Sequence, residues 1–336
     1  MVVLETVCVA FAMFSALPVP HVDWNERNMR YAMAAFPLVG AVIGALWCVC
    51  GLLPLPDRLK AAGFCLIPVA ATGGIHLDGF ADTSDALSSY GDREKKLAIL
   101  KDPHCGAFAV IRLCGYFVLY FALCACLRFT PRVGAVWTLA LVLERALSGY
   151  AVATFPMAKN TGLAHTFATA ADKRRVQIVL LAVSVCVGAG MALLGGGLLA
   201  LAALAVLWRY RAVAAKQFGG ITGDLAGWFL QRAEAVMLGG LLFSGGWIGG
   251  FSSPGRCTAA SGRSPGNSAG GRFSTCRISR LRPTIWSGWR TSWRRITTWR
   301  RRRKSAGALC RWTRASGARG RRPGGWPVCW RRARTR

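Results

Sequence analysis

The chain reads as an all-α protein, a polytopic integral membrane helical bundle of about seven transmembrane helices with a disordered basic C-terminal tail. Three observations predict this. Of its 336 residues, 53% are hydrophobic and the mean hydropathy is +0.36, as for a chain whose main solvent is lipid. The apolar residues fall in runs close to the length that crosses a bilayer, separated by short polar or proline-containing breaks. Finally, charge is unevenly spread: residues 1–250 hold all 14 acids beside 20 of the 43 Lys and Arg, and residues 251–336 hold the other 23 basic residues and no acid. The chain therefore divides into a membrane-embedded domain, 1–250, and a tail, 251–336.

Taken in order, residues 2–17 are too short, and too close to Pro18 and Pro20, to span, so they read as an interfacial or partly inserted helix. Residues 31–53 form the first span, ended by Pro54 and Pro56. A second, 61–77, runs straight into an acidic stretch. Residues 78–106 are polar enough to lie outside lipid. Spans recur at 107–127, 133–154, 176–194, 198–215 and 233–250, with Gly195-Gly196-Gly197 as a tight turn between the fifth and sixth.

Orientation follows from the loop cations. Three loops carry four basic residues each: Arg93, Lys95, Lys96 and Lys101; Lys159, Lys173, Arg174 and Arg175; Arg209, Arg211, Lys216 and Arg232. The alternate loops carry two, two and none. The positive-inside rule then puts the three basic loops in the cytoplasm, with every chemically interesting segment on that face. The tail, with seven Trp among its arginines and no period that would bury a face, could bind nucleic acid or anionic lipid. Its Arg, Gly, Pro, Ala and Trp are also what GC-rich DNA yields out of frame, and the reading preferred is a frame-shift-derived extension with no nucleic-acid partner. The cysteines of the first 250 residues lie mostly in apolar runs, where Cys acts as a small hydrophobe, and neither Cys-x-Cys pair has zinc-site spacing.

The chemistry concentrates in Thr72-Gly73-Gly74-Ile75-His76-Leu77-Asp78-Gly79-Phe80-Ala81-Asp82-Thr83-Ser84-Asp85. On a helix, Asp78, Asp82 and Asp85 at i, i+4 and i+7 share an arc of about 60°. Like charges so placed repel unless a cation sits among them, and at the end of an uncharged segment they are expected to be functional rather than a solvated helix face. The expected occupant is Mg²⁺, which takes carboxylates together with substrate phosphates, and Arg93, Lys95, Lys96 and Lys101 would add positive charge for a polyphosphate. On the same face, Gly219, Gly220 and Gly223 allow close backbone approach of a ligand, and Asp224 is a fourth acid available as a metal or substrate ligand. Arg145, beside Glu144 inside an apolar run, either neutralises its neighbour or faces a phosphate. His76 falls nearly opposite Asp78 and Asp85 and is expected to be packed; His104 and Cys105 hint only faintly at zinc. No Walker loop, Rossmann fingerprint or Gly-x-Ser-x-Gly elbow is present. The residues alone reach a metal-dependent phosphoryl or phosphoalcohol transferase at the cytoplasmic face of a membrane.

Taken together, Leu17-Pro18-Val19-Pro20, Phe36-Pro37-Leu38-Val39-Gly40 with Ile43-Gly44, the long stretch Gly73 to Thr83 with Asp85, Asp92-Arg93-Glu94, Lys101-Asp102, Gly106, and Gly219-Gly220-Ile221-Thr222-Gly223-Asp224 resemble the cobalamin synthase family. The resemblance covers residues 1–250 and not the tail; Ala86 and Ala109 stand where the pattern has Gly. It implies that adenosylcobinamide-GDP and α-ribazole, or its 5′-phosphate, yield adenosylcobalamin or its phosphate plus GMP. It also implies a bacterial inner membrane with the site facing the cytoplasm, lipid around the spans, and other cobalamin-pathway enzymes as partners. With this chemistry, Asp78, Asp82 and Asp85 would hold Mg²⁺ on the pyrophosphate, and one of them or Asp224 would accept a ribose hydroxyl proton. Three other readings compete. Asp78-Gly79-Phe80-Ala81 also resembles the start of the CDP-alcohol phosphotransferase motif, although Asp82 stands where Arg is expected. A divalent-cation transporter would place its acids within the spans, and a nucleic-acid binder would rest wholly on the tail.

Overall fold

The computed structural model describes residues 2–158 and 171–243. The domain boundary expected at 250, the basic tail, Lys159 and the last part of the span expected at 233–250 lie outside these residues. The described helices are α1 (Val2–Phe14), α2 (Glu26–Met29), α3 (Ala32–Leu52), α4 (Asp57–Thr72), α5 (Ile75–Ser88), α6 (Arg93–Ile99), α7 (Ala107–Cys126), α8 (Pro131–Thr154), α9 (Lys173–Leu193), α10 (Gly197–Val213) and α11 (Gly223–Phe243). A single π turn, Ala214–Phe218, prolongs α10.

Five elements are long and apolar enough to cross a membrane: α3, α7, α8, α9, and α10 with its π turn. The protein is thus an all-α membrane bundle, and two of the seven expected spans differ in form. The expected span 61–77 is not one helix. Gly73 and Gly74 both have positive φ, Gly73 caps α4 in the left-handed conformation, and α5 leaves at 94° to α4. His76 and Leu77 therefore belong to α5, the helix of the acids. The last helix begins ten residues earlier than expected, at Gly223. Asp224, Gln231, Arg232 and Glu234 hid its first half from a hydropathy reading, but Gln231 and Glu234 are buried against neighbouring helices and Arg232 lies over the Trp228 ring at 4.9 Å. Arg209, Arg211, Lys216 and Arg232, expected in one loop, consequently lie on α10, its π turn and α11.

The tightest helix pair is α3 with α8, and small residues make it so. A methyl group at Gly40 would run into the Leu141 carbonyl, and one at Gly44 into Thr138. Trp47 of α3 stacks on Phe64 of α4 at 3.8 Å and faces Trp137 of α8 at 6.1 Å. By contrast α7, α9 and α10 present Ile111, Val118, Leu119, Ile178, Leu181, Val185, Leu201 and Leu204 outward, the surface that lipid would cover. The bundle interior also holds a fully buried ionic cluster. The Arg145 guanidinium donates to the Glu144 carboxylate, to the Leu141 carbonyl at 3.0 Å and to Glu234 at 3.3 Å. It ties α8 to α11.

Candidate active site

The acids converge where two helices begin. Asp78, Asp82 and Asp85 lie along α5, which runs antiparallel to the start of α11: Gly79 meets the backbone of Asp224, and Gly227 meets the backbone of His76. Only glycine allows the first contact, since a Cβ at Gly79 would stand 2.8 Å from both Cα and O of Asp224. At the other end of α5, the Asp85 carboxylate lies over Gly106, the residue that opens α7. Asp82 lies between these contacts, on a helix that is not one of the five spanning elements, and the contacts on either side of it are to the N-termini of α11 and α7. Free backbone N–H groups at such termini favour negative charge. Thr222 caps α11, accepting from the Leu225 N–H at 3.2 Å, and its hydroxyl lies 3.5 Å from the Asp224 carboxylate.

Electrostatics record the same convergence. Burial, and then the charges of Asp78, Asp224, Asp85 and Asp102, push the Asp82 carboxyl up to about 6. Every one of these causes raises the cost of ionising Asp82. Among the described residues, no three His, Cys, Asp or Glu side chains stand close enough to hold an ion by themselves. Mg²⁺ does not require that, because it keeps several waters and is usually bound by one or two carboxylates plus substrate phosphates. The four aspartates fit an ion that arrives with a diphosphate better than a resident ion in an all-protein cage.

Asp78 and Asp82 open into a cavity of about 550 Å³, whose wall includes Gly73, Gly74, Leu77, Asp102, His104 and Leu113. At the Gly74 backbone nothing stands within 4 Å of where a Cβ would be, so the αL elbow between α4 and α5 presents bare main chain to the cavity. The basic helix α6 starts with Asp92, whose side chain accepts from the Lys95 N–H at 2.9 Å. It docks on the segment after α10: the Arg93 guanidinium lies over Gly219, and the Lys96 ammonium donates to Gln217 Oε1. Lys95 and Lys101 are exposed.

Several expected site residues have other neighbours. Gly219 accommodates Arg93, and Gly220 packs on the backbone of Pro156 to Ala158, where Ile221 pairs with Met157 through 2.9 Å hydrogen bonds to Pro156 and from Ala158. Their glycine character is thus used by the protein's own groups and not by an open ligand surface, whereas Gly223 at the start of α11 is exposed. Arg145 requires a correction: its side chain is 0% exposed and its guanidinium is taken by Glu144, Glu234 and a carbonyl, so it neutralises buried acids and does not face a phosphate. His76 is packed, as its helical phase predicts, with its ring 5.8 Å from Phe36. Ala86 and Ala109 are both buried, so their methyl groups fill packing space away from the cavity.

Sequence reasoning missed Asp102 and His104 as cavity residues. The Asp-x-His spacing was the available signal, since an Asp side chain readily accepts from the N–H two residues on. Here Asp102 Oδ1 accepts from the His104 N–H at 3.0 Å and lies 2.6 Å from its Nδ1.

Comparison with known proteins adds the family context. A family model described as cobalamin-5-phosphate synthase matches residues 6–242, which excludes the basic tail. Three similar proteins carry the name adenosylcobinamide-GDP ribazoletransferase. The one from Lachnoclostridium phytofermentans is 45% identical over 240 residues, 69% of this chain and 91% of its own. That from Clostridium botulinum is 32% identical over 237 residues, 68% and 93% of the two chains, and that from Geobacillus kaustophilus 31% over 243 residues, 68% and 92%. No solved structure matches the chain.

Proposed function

The chain belongs to the cobalamin-5-phosphate synthase family, and from that premise we propose that it is a Mg²⁺-dependent adenosylcobinamide-GDP ribazoletransferase of a bacterial inner membrane. It joins adenosylcobinamide-GDP to α-ribazole or its 5′-phosphate, yields adenosylcobalamin or its phosphate, and releases GMP. One observation carries the reading: four aspartates from two distant segments gather at two helix N-termini, two of them opening into a single cavity.

In this reading Asp78, Asp82, Asp85 and Asp224 are the carboxylates that would hold the cation, one or two of them at a time, together with the diphosphate. When bound, Mg²⁺ supplies charge neutralisation at the diphosphate oxygens. The rest of the work is positioning and electrostatics, as phosphoryl transfer requires. Arg93 and Lys96, fixed on the segment after α10, and Lys95 and Lys101 beside them, neutralise the departing GMP. The bare backbone at Gly73–Gly74 lets a bulky ligand approach closely. Leu77, Leu113 and Ile75 line part of the wall with apolar surface against which a bulky ligand can pack. The cytoplasmic orientation rests on the cations of residues 78–106 and 156–175 and of the end of α10 with its π turn.

The test is a membrane fraction containing the whole chain, supplied with GDP-cobinamide, α-ribazole and Mg²⁺. GMP release that EDTA abolishes is expected. Absence of GMP, or release of CMP from a CDP-alcohol donor instead, overturns the proposal.

A further inference from the structure

Transfer to a ribose hydroxyl needs a proton acceptor, and the four aspartates are poor candidates when their lone pairs face a cation. Besides Asp78 and Asp82, the cavity wall holds three titratable side chains, Asp102, His104 and Cys105. The Cys105 thiol is directed to the Gly106 carbonyl at 3.8 Å, and Asp102 is engaged by His104. That engagement has a defined sense. An ionised carboxylate only accepts, so in the neutral imidazole this 2.6 Å contact would place the proton on Nδ1 and leave Nε2 with its lone pair. The second bond to Asp102, from the His104 N–H, fixes the carboxylate relative to the backbone. No described residue bonds Nε2, and the His104 side chain is 87% exposed, within reach of a ligand in the cavity.

We propose that His104, oriented by Asp102, is the general base that takes the proton from the attacking ribose hydroxyl. The proposal rests on the transferase reading given above. In the step, the hydroxyl oxygen bonds to the phosphorus on the cobinamide side, and the bridging P–O bond breaks with its electron pair retained by GMP. The hydroxyl proton passes to His104 Nε2 and from there to solvent. Asp102 is a positioning residue that holds the reactive tautomer.

The experiment uses the full-length chain in membranes with GDP-cobinamide, α-ribazole and Mg²⁺, scored by GMP release. His104→Ala is expected to lower kcat by about 10²-fold, within the range of general-base loss, while KM for either substrate stays within about twofold. Added imidazole restores part of the rate to His104→Ala and none to Asp82→Asn, and the exposure of the site gives imidazole access. Asp102→Asn lowers kcat in the wild-type background and has no further effect in His104→Ala, the non-additivity of a pair acting as one unit. A His104→Ala rate within about threefold of wild type overturns the assignment, and so does a loss that imidazole does not rescue. A wild-type chain that releases no GMP overturns the transferase reading and this inference together, so the two failures are distinguishable.

Discussion

Gly79→Ala tests whether the site depends on α5 and α11 lying backbone to backbone. The added Cβ would stand 2.8 Å from Asp224 Cα and O, and 3.2 Å from its carbonyl carbon. Nonbonded carbon atoms rest at roughly 3.5 Å or more, so the two helices must part by about 0.7 Å. All three of these atoms are main chain, so no side chain can rotate to relieve the contact. Overpacking of this kind costs about 1–3 kcal/mol of stability. It also moves Asp224 relative to Asp78, Asp82 and Asp85, and a displacement near 1 Å at a reacting centre costs about 10²-fold in rate. The assay is GMP release at saturating substrates, with thermal unfolding in detergent run in parallel. Gly115→Ala is the control: its added Cβ meets nothing within 4 Å on α7, and it should leave turnover unchanged and add about 0.5–1 kcal/mol through helix propensity. Gly79→Ala turnover within about twofold of wild type would refute the argument that this contact sets the acid geometry.

Asp82→Asn is expected to lower turnover by about 10²-fold or more while the protein still inserts into membranes; fractionation and GMP release check both parts. The Asp82 carboxyl, raised to about 6 in the folded protein, lies above the ordinary carboxylate range of about 3.9. Its ionisation therefore destabilises the cation-free protein, a penalty that builds as pH rises from about 4 to 6 and persists above. Mg²⁺ should accordingly raise the unfolding temperature more at pH 7.5 than at pH 5, and an equal shift at both would count against Asp82 as a ligand. Arg145→Leu leaves Glu144 and Glu234 without their shared cation and should cost about 3–5 kcal/mol, read by thermal unfolding in detergent. Surviving enzyme should keep its KM for GDP-cobinamide, and a large KM increase would return Arg145 to the substrate. A chain ending at Gly250 retains the region matched by the family and is expected to retain GMP release.

Local sequence carried the parts of this fold in which composition and spacing act alone. Apolar runs marked α3, α7, α8, α9 and α10, and the four-residue and three-residue spacing of Asp78, Asp82 and Asp85 marked one helix face. What was hidden depends on tertiary partners. The first half of α11 looked like a loop because Glu234 and Gln231 look polar until Arg145 and neighbouring helices bury them. The break at Gly73–Gly74 was written in two adjacent glycines, but their direction, 94° away from α4, depends on packing against α11. Gly219 and Gly220 illustrate the converse, since close approach was read correctly and the approaching group was not: it is Arg93 in one case and the Pro156–Ala158 backbone in the other. Asp102 was noted only within the family pattern and His104 only as a faint zinc hint, because a three-residue surface motif acquires its meaning from the cavity it faces.

The helix that brings Asp224 also brings Glu234. During synthesis α8 leaves the ribosome long before α11, carrying an adjacent acid and base that can compensate one another while the membrane segment is still alone. When α11 arrives, Glu234 joins Arg145 at one level of the bundle, and Asp224 reaches Gly79 about ten residues nearer the start of the same helix. One docking event thus closes the interior charge cluster and completes the quartet of acids, so a partly assembled chain presents neither.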